Sequence, residues 1–272
     1  MSETFHIISD GSCDLPVELV QEKNITVVPF YVSFDDQKYL KENVEIGVRE
    51  FYQQMVDRKG VYPKSSMPSA QDYVDMFLPY AKQGIPVICI CITAKFSGSV
   101  QSATNARNLV REEYPEAEIT VIDSTVDTVL QGLYVLEAAS LRDSGKSYQE
   151  TVSRLEEIKG SGRIFFTVGN MEYLQHGGRI GKVAALAGSI LGIRPIITLK
   201  QGEIFPSGIG RGRKRSTEKA LELLLEYLRD SGKGIDSFRI CVGYGYDVEE
   251  GAAFRDHALE VLRSKGYSIR EM

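Results

Sequence analysis

The chain has 272 residues, with 32 lysines and arginines against 37 aspartates and glutamates, for a formal net charge of -5. Apolar residues make up 43% of the chain and charged residues 25%, which supplies a packed core and argues against global disorder. The acidic balance argues against nucleic acid as the main partner, because phosphate binding needs a basic surplus. The length predicts one large or two ordinary domains.

The cysteines and the N-terminus indicate the compartment. Four cysteines, at 13, 89, 91 and 241, are too few for a disulfide framework and lack zinc-site spacing. The first ten residues do not resemble a signal peptide, and the longest apolar run is too short for a membrane helix. We therefore expect a cytoplasmic protein without a metal or other cofactor. We expect a monomer, because no segment presents a large apolar face.

Strands and helices alternate through the first part of the sequence. Strands are predicted at 5–9, 25–34, 85–92 and 119–122, and helices at 16–22, 47–58, 69–82, 99–113, 128–141 and 147–158. Residues 59–69 are predicted as a loop, and Ser69 with Asp72 as a capping box for the helix that follows. This alternation predicts a mostly parallel sheet with helices on both faces, in which ligands bind at the carboxyl ends of the strands.

The pattern changes after residue 160. We predict a strand at 163–168, a small-residue helix at 182–191, and a hairpin of 193–199 with 203–209 around Gln201-Gly202. Helices at 216–230 and 248–265 and strands at 238–242 and 267–269 follow. Residues 1–160 are therefore predicted to form a three-layer α/β domain with a mostly parallel sheet, and residues 161–272 an α+β domain.

Two serine clusters are candidate binding sites. Ser97-Gly98-Ser99 lies between a buried strand and a helix, where free amide groups and a partial positive charge receive anions. The alternative is that Ser97 or Ser99 only caps the helix. Ser65 and Ser66 lie in the predicted loop at 59–69, where serines are also common without a function.

Carboxylates follow the first predicted strand. Asp10 and Asp14 could bind a metal or act as bases, but we favour the interpretation that Asp10 organises the turn and Asp14 caps the next helix. Cys13 or Ser97 as the nucleophile of a hydrolase would need a base, and the chain has only three histidines.

A basic cluster precedes a predicted helix late in the chain. It comprises Arg211, Arg213, Lys214 and Arg215, and Arg179 is a further candidate member. Positive charge opposes the macrodipole at a helix N-terminus, so the cluster either serves a partner or a phosphorylated group, or is an ordinary solvated run.

Five segments, in order, resemble motifs of the DegV family of bacterial fatty acid-binding proteins. They are SDGSCDLP at 9–16, SSMPS at 65–69, FSGSVQSA at 96–103, LQHGGRI at 174–180 and LGIRPII at 191–197. Ser65, Met67 and Val100 stand where the family usually has threonine, glutamine and tyrosine. The family's segment with a histidine and a Gly-Pro-Gly-like turn has no counterpart before Met272.

The resemblance implies a lipid carrier rather than an enzyme. A long-chain fatty acid such as palmitate would lie in a tunnel between the domains, with its carboxylate on the hydroxyls of Ser65 and Ser97. The helix at 183–191 fits a tunnel wall and equally a core. The carrier would present the acid to a fatty acid kinase, which makes an acyl phosphate for phospholipid synthesis. Arg179 and Arg211 would match the family's partner-docking arginines, and the carrier would contact membranes only transiently.

An enzyme is the alternative hypothesis. It would transfer phosphoryl or acyl groups on a small anionic substrate, with Asp10 and Ser97 central. Turnover by the isolated protein or a divalent-ion requirement would favour it. A third hypothesis is a regulatory protein whose lipid is only structural.

Overall fold

The computed structural model describes residues 5–169, 171–186 and 193–269. The chain divides into two compact units. Unit 1 comprises Met1–Gly162 and Gln201–Glu203, and unit 2 comprises Arg163–Lys200 and Ile204–Met272.

Unit 1 contains a parallel sheet of four strands in the order β2-β1-β6-β7. These strands are β1 (His6–Asp10), β2 (Ile25–Val28), β6 (Val87–Cys91) and β7 (Ile119–Asp123). The helices of the unit are α1 (Val17–Glu22), α2 (Val48–Asp57), α3 (Ala70–Gln83), α4 (Ser99–Glu113), α5 (Thr128–Asp143) and α6 (Tyr148–Ile158). The predicted α/β class with a mostly parallel sheet is confirmed.

The sheet is the middle of three layers, because its strands are apolar on both faces. Ile7 and Ile88 pack with residues of α5 and α6. Their chain neighbours Ile8 and Cys89 pack on the opposite face with residues of α3 and α4. The Cys89 and Cys91 Sγ atoms lie 3.8 Å apart in this second layer, which confirms that they are core thiols on one face of a strand.

The predicted strand at 25–34 is two strands in two different sheets. β2 joins the parallel sheet, whereas β3 (Tyr31–Ser33) is the centre of an antiparallel sheet in the order β4-β3-β5. Pro29 lies between them, and a proline cannot donate to a sheet hydrogen bond. The outer strands are β4 (Leu40–Lys41) and β5 (Lys64–Ser66). β5 was predicted as loop, because its polar residues show no strand pattern.

Unit 2 contains an antiparallel sheet in the order β10-β9-β8. Its elements are β8 (Ile164–Thr167), α7 (Glu172–His176), β9 (Ile193–Lys200), β10 (Glu203–Arg211), α8 (Gly212–Asp230) and α9 (Val248–Ser264). The predicted hairpin is confirmed. Its turn residues Gln201 and Gly202 have φ of 52° and 80°, and the two positive values suit the twist of paired strands.

Three predictions for unit 2 differ from the structure. Residues 238–242 and 267–269 are not strands. The half-buried Phe238 ring packs 6.0 Å from Tyr227 of α8, so its apolar side chain finds a partner without backbone pairing. α8 begins at Gly212, which places Arg213, Lys214 and Arg215 in its first turn. The predicted helix at 182–191 begins as a 3-10 helix at Gly181–Leu186, and residues 187–191 lie outside the described residues.

The packing between α3 and the sheet generates a prediction. Phe77 is 0% exposed, so Phe77→Ala should lower the free energy of unfolding by about 3–5 kcal/mol, through lost burial and the cavity left behind. Hydrogen exchange of the β6 amides under mild denaturant would measure this within unit 1. Val44→Ala, at a side chain that is 72% exposed, should change it by less than about 0.5 kcal/mol. Equal losses in the two variants would contradict the assigned core.

Candidate functional site

The candidate site lies at the carboxyl ends of β1 and β6. β2 pairs with one side of β1 and β6 with the other, so the strand order reverses at this point. In open parallel sheets, the crevice at such a reversal is where ligands bind. β1 ends at Asp10, and β6 leads through the segment 92–98 to α4. The structure therefore brings the turn that contains Asp10 and Asp14 next to the Ser97 segment.

The Asp10 carboxylate is 0% exposed and is surrounded by polar groups of the protein. The Ile92 amide donates to Oδ2 at 3.0 Å and the Ser99 hydroxyl at 2.6 Å. The Gln131 amide donates to Oδ1 at 2.8 Å, and Ser12 Oγ lies 3.0 Å from the same oxygen. Burial raises the pKa of Asp10, and these hydrogen bonds oppose that rise. The Ser12 hydroxyl also lies 2.5 Å from Gln131 Oε1, which only accepts, so its one hydrogen is shared between the two oxygens. Three donated hydrogen bonds and full burial therefore make Asp10 an organiser of the turn.

Asp14 does not cap the helix that follows. The residue before α1 is Pro16, and Asp14 instead ends the short 3-10 helix Gly11–Cys13 with a φ of 50°. The expectation that Asp14 is an N-cap is therefore wrong. The proline occupies that position, and its fixed φ suits the entry to a helix.

The start of α4 is open to an anion. Its N-cap is Gly98, which has no side chain to accept from the first turn. The Ser97 Oγ accepts from the Ser99 amide at 3.2 Å, and among the described residues no side chain accepts from Val100 or Gln101. The Ser97 hydroxyl therefore keeps its own hydrogen for a ligand, beside amide groups that have no partner within the helix.

The Ser65 segment reaches the same place. Ser65 is exposed on β5, where it lies opposite Val32. Two residues later, Met67 packs on the α4 start: a Cβ added to Gly98 would lie 2.7 Å from the Met67 Sδ. A larger residue at 98 would therefore require the flexible end of the Met67 side chain to move aside. The structure brings the Ser65 and Ser97 segments together through Met67, which the sequence analysis did not single out as a contact.

The capping box predicted between these segments is present. The Asp72 carboxylate accepts from the Ser69 amide at 2.8 Å, and the Asp72 amide donates to Ser69 Oγ at 3.1 Å. Asp72 also accepts from the Tyr31 hydroxyl at 2.8 Å. Since Tyr31 pairs with Ser66, this contact fixes the sheet that carries Ser65 to the first turn of α3.

The two arginines proposed for partner docking lie in unit 2. Arg179 follows α7, and its guanidinium donates to the Gly177 carbonyl. Arg211 is the last residue of β10 and the N-cap of α8. Both side chains are exposed. Arg213, in the first turn of α8, pairs with Glu250 of α9, so part of the basic cluster has an acidic neighbour.

Three further features concern the described ranges: metal clusters, membrane-spanning helices and the Cys13 thiol. Those residues contain no group of three or more His, Cys, Asp or Glu side chains that could hold a metal ion. In the same ranges, no helix is both long enough and apolar enough to cross a membrane. Burial raises the pKa of Cys13 to about 12, so the thiolate required of a nucleophile is scarce at neutral pH.

This burial predicts the reactivity of the cysteines. Cys13, Cys89 and Cys91 are at most 1% exposed, so iodoacetamide at pH 8 should leave them unmodified in the folded protein and label them in denaturant. Peptide mass spectrometry would read the modification at each position. Rapid labelling of Cys13 in the folded protein would restore it as a candidate nucleophile.

The comparisons with known proteins agree over nearly the whole chain. A family model described as "Uncharacterised protein, DegV family" matches residues 4–272. A DegV domain-containing protein of Clostridium perfringens is 32% identical over 98% of this chain and 89% of its own length.

Solved structures give the same result. A stearic acid-binding protein from Eubacterium ventriosum has a TM-score of 0.91 and 44% identity, over 95% of this chain and 88% of its own. A DegV family protein from Thermus thermophilus, described by its fatty acid binding, has a TM-score of 0.79 and 29% identity, over 98% of this chain and 90% of its own. The Streptococcus pneumoniae Fatty Acid Kinase (Fak) B3 protein, loaded with linoleic acid, has a TM-score of 0.69 and 25% identity, over 82% of this chain and 78% of its own. The chain belongs to the DegV family.

Proposed function

We propose that this protein is a carrier that binds one long-chain fatty acid, with the carboxylate held by Ser65, Ser97 and the first-turn amides of α4. The observation that carries the proposal is the α4 start, which lacks a side-chain cap while the Ser97 hydroxyl keeps its hydrogen. The relatives described as fatty acid-binding proteins support the ligand class.

The polar end of a fatty acid needs such a site. A carboxylate that leaves water without partners costs several kcal/mol, so it cannot enter an apolar tunnel unpaired. Hydroxyl and amide groups supply charge-assisted hydrogen bonds without burying a cation beside the acyl chain. The helix macrodipole adds a favourable term at the same point.

The acyl chain supplies most of the binding free energy. A sixteen-carbon acid buries ~14 methylenes at roughly 0.8 kcal/mol each, or about 11 kcal/mol before the cost of association. We propose that the α+β domain closes the tunnel around this chain. Val183, which is 0% exposed in its 3-10 helix, belongs to the segment proposed for the wall.

The carrier presents its ligand to a separate fatty acid kinase, and the kinase catalyses the formation of the acyl phosphate. This part of the proposal is supported by the similarity to the Fatty Acid Kinase (Fak) B3 protein. In this proposal Arg179 and Arg211 contact the kinase, and the isolated carrier has no turnover. Burial of Asp10 agrees with that role, because the carboxylate is 0% exposed and already accepts from Ser99 and Gln131.

Binding is tested by mass and by affinity. Native mass spectrometry of the freshly purified protein should show the excess mass of one long-chain fatty acid. After removal of the lipid, Ser97→Ala should bind palmitate about tenfold more weakly, because one hydrogen bond to a charged group is lost. Ser65→Ala should act in the same direction.

Ser144→Ala, at an exposed serine after α5, is the matched control and should bind like wild type. Lipid-free wild-type protein that takes up no fatty acid would refute the carrier.

Presentation is tested separately from binding. With a fatty acid kinase and ATP, Arg179→Ala and Arg211→Ala should slow acyl-phosphate formation severalfold while palmitate affinity stays unchanged. Arg154→Ala, at an exposed arginine of α6 in unit 1, should leave the rate unaltered. Kinase rates that are equal in all three variants would remove the docking role of these arginines.

A further inference from the structure

A chain of hydrogen bonds runs through the core beneath the two serine segments. The Tyr73 hydroxyl lies 2.6 Å from Ser99 Oγ, which lies 2.6 Å from Asp10 Oδ2. All three residues are 0% exposed. Ser99 gives its single hydroxyl hydrogen to the carboxylate, so Tyr73 is the donor to Ser99. Burial raises the pKa of Tyr73 well above its ordinary value, so the hydroxyl keeps the hydrogen that it donates.

The α4 end of this hydrogen-bond chain holds Ser97. The Ser99 side chain is fixed by Asp10 and Tyr73, and its backbone amide donates to Ser97 Oγ. One residue therefore connects the buried carboxylate to the hydroxyl proposed to meet the ligand. A shift of Ser99 would move Ser97 and the open helix start together.

The α3 end of the hydrogen-bond chain leads to Ser65. Tyr73 directly follows Asp72, the residue that binds both Ser69 and Tyr31. Through the pairing of β3 with β5, these contacts connect the Tyr73 backbone to the strand that carries Ser65. The spacing of the two serines thus depends on how α3 is placed against α4.

We infer that the Tyr73–Ser99–Asp10 chain positions Ser65 and Ser97 for one carboxylate, with Tyr73 a positioning residue that never touches the ligand. The inference rests on the proposed function. Without the Tyr73 hydroxyl, α3 and α4 remain packed through the apolar side chains that they share, which include Phe77 and Ala106. The polar link that sets their spacing at the site is lost.

A second buried tyrosine supplies a matched control. Tyr134 is 8% exposed, and its hydroxyl donates to the Leu155 carbonyl at 2.6 Å. It packs in the layer on the other face of the sheet. Tyr73→Phe and Tyr134→Phe each remove one buried hydroxyl that makes a 2.6 Å hydrogen bond, but only the first touches the proposed chain.

Palmitate affinity of the lipid-free proteins is the first measurement. Tyr73→Phe should raise Kd about two- to tenfold, the range of one net hydrogen bond. Tyr134→Phe should lower Tm to a similar extent and leave Kd unchanged. Equal Kd values for the two variants would overturn the inference. Ser99→Ala breaks the same chain and takes the place of Tyr73→Phe if that variant does not fold.

A double-mutant cycle with Ser97→Ala identifies the route of the effect. If Tyr73 acts through Ser97, Tyr73→Phe should change Kd much less in the Ser97→Ala background than in wild type. Fully additive changes would overturn the positioning role. Wild-type protein that binds no palmitate would instead refute the proposed function, and the inference would fall with it. Normal wild-type binding that Tyr73→Phe leaves unaltered would refute the inference alone.

Discussion

The candidate site depends on one buried carboxylate. Asp10 collects contacts from the 3-10 turn after β1, from the residue after β6, from the start of α4 and from α5. The last three of these contacts come from residues that lie 82, 89 and 121 positions from Asp10 in the sequence. An ionisable group in an apolar core is unfavourable unless it is fully hydrogen-bonded, so the carboxylate holds the donors in place as much as they hold it. The same burial separates it from the chemistry of a ligand.

The helices on the two faces of the sheet contribute different groups to the candidate site. On one face, α3 and α4 bear the groups that lead to Ser65 and Ser97, joined by the Tyr73 hydroxyl. On the other face, the Gln131 side chain of α5 donates to the Asp10 carboxylate. Both helical layers therefore contribute to the position of the proposed anion site at the start of α4. A rigid polar end suits the proposed carrier, because the carboxylate is the one charged group of a fatty acid.

The sequence predicted the frame of unit 1 well, because its strands are continuous apolar runs and its helices have clear starting signals. α4 begins and ends where the pattern placed it, and the capping box at Ser69 is present. The errors in the strands of unit 1 share a cause, because the pairing partners of a strand are not encoded locally. The segment 25–34 reads as one strand until Pro29 separates two sheets, and the polar β5 exists only because β3 lies beside it. The chain that links Tyr73 to Asp10 joins residues far apart in sequence, so no motif predicts it.

The contact between Met67 and Gly98 bears on how the site changes between relatives. Because the Met67 sulfur fills the space that a Cβ at 98 would need, the two positions do not vary independently. A larger residue at 98 requires the side chain at 67 to be shorter or to turn its flexible end away. Relatives with a larger residue at 98 are therefore expected to carry a different or differently placed side chain at 67.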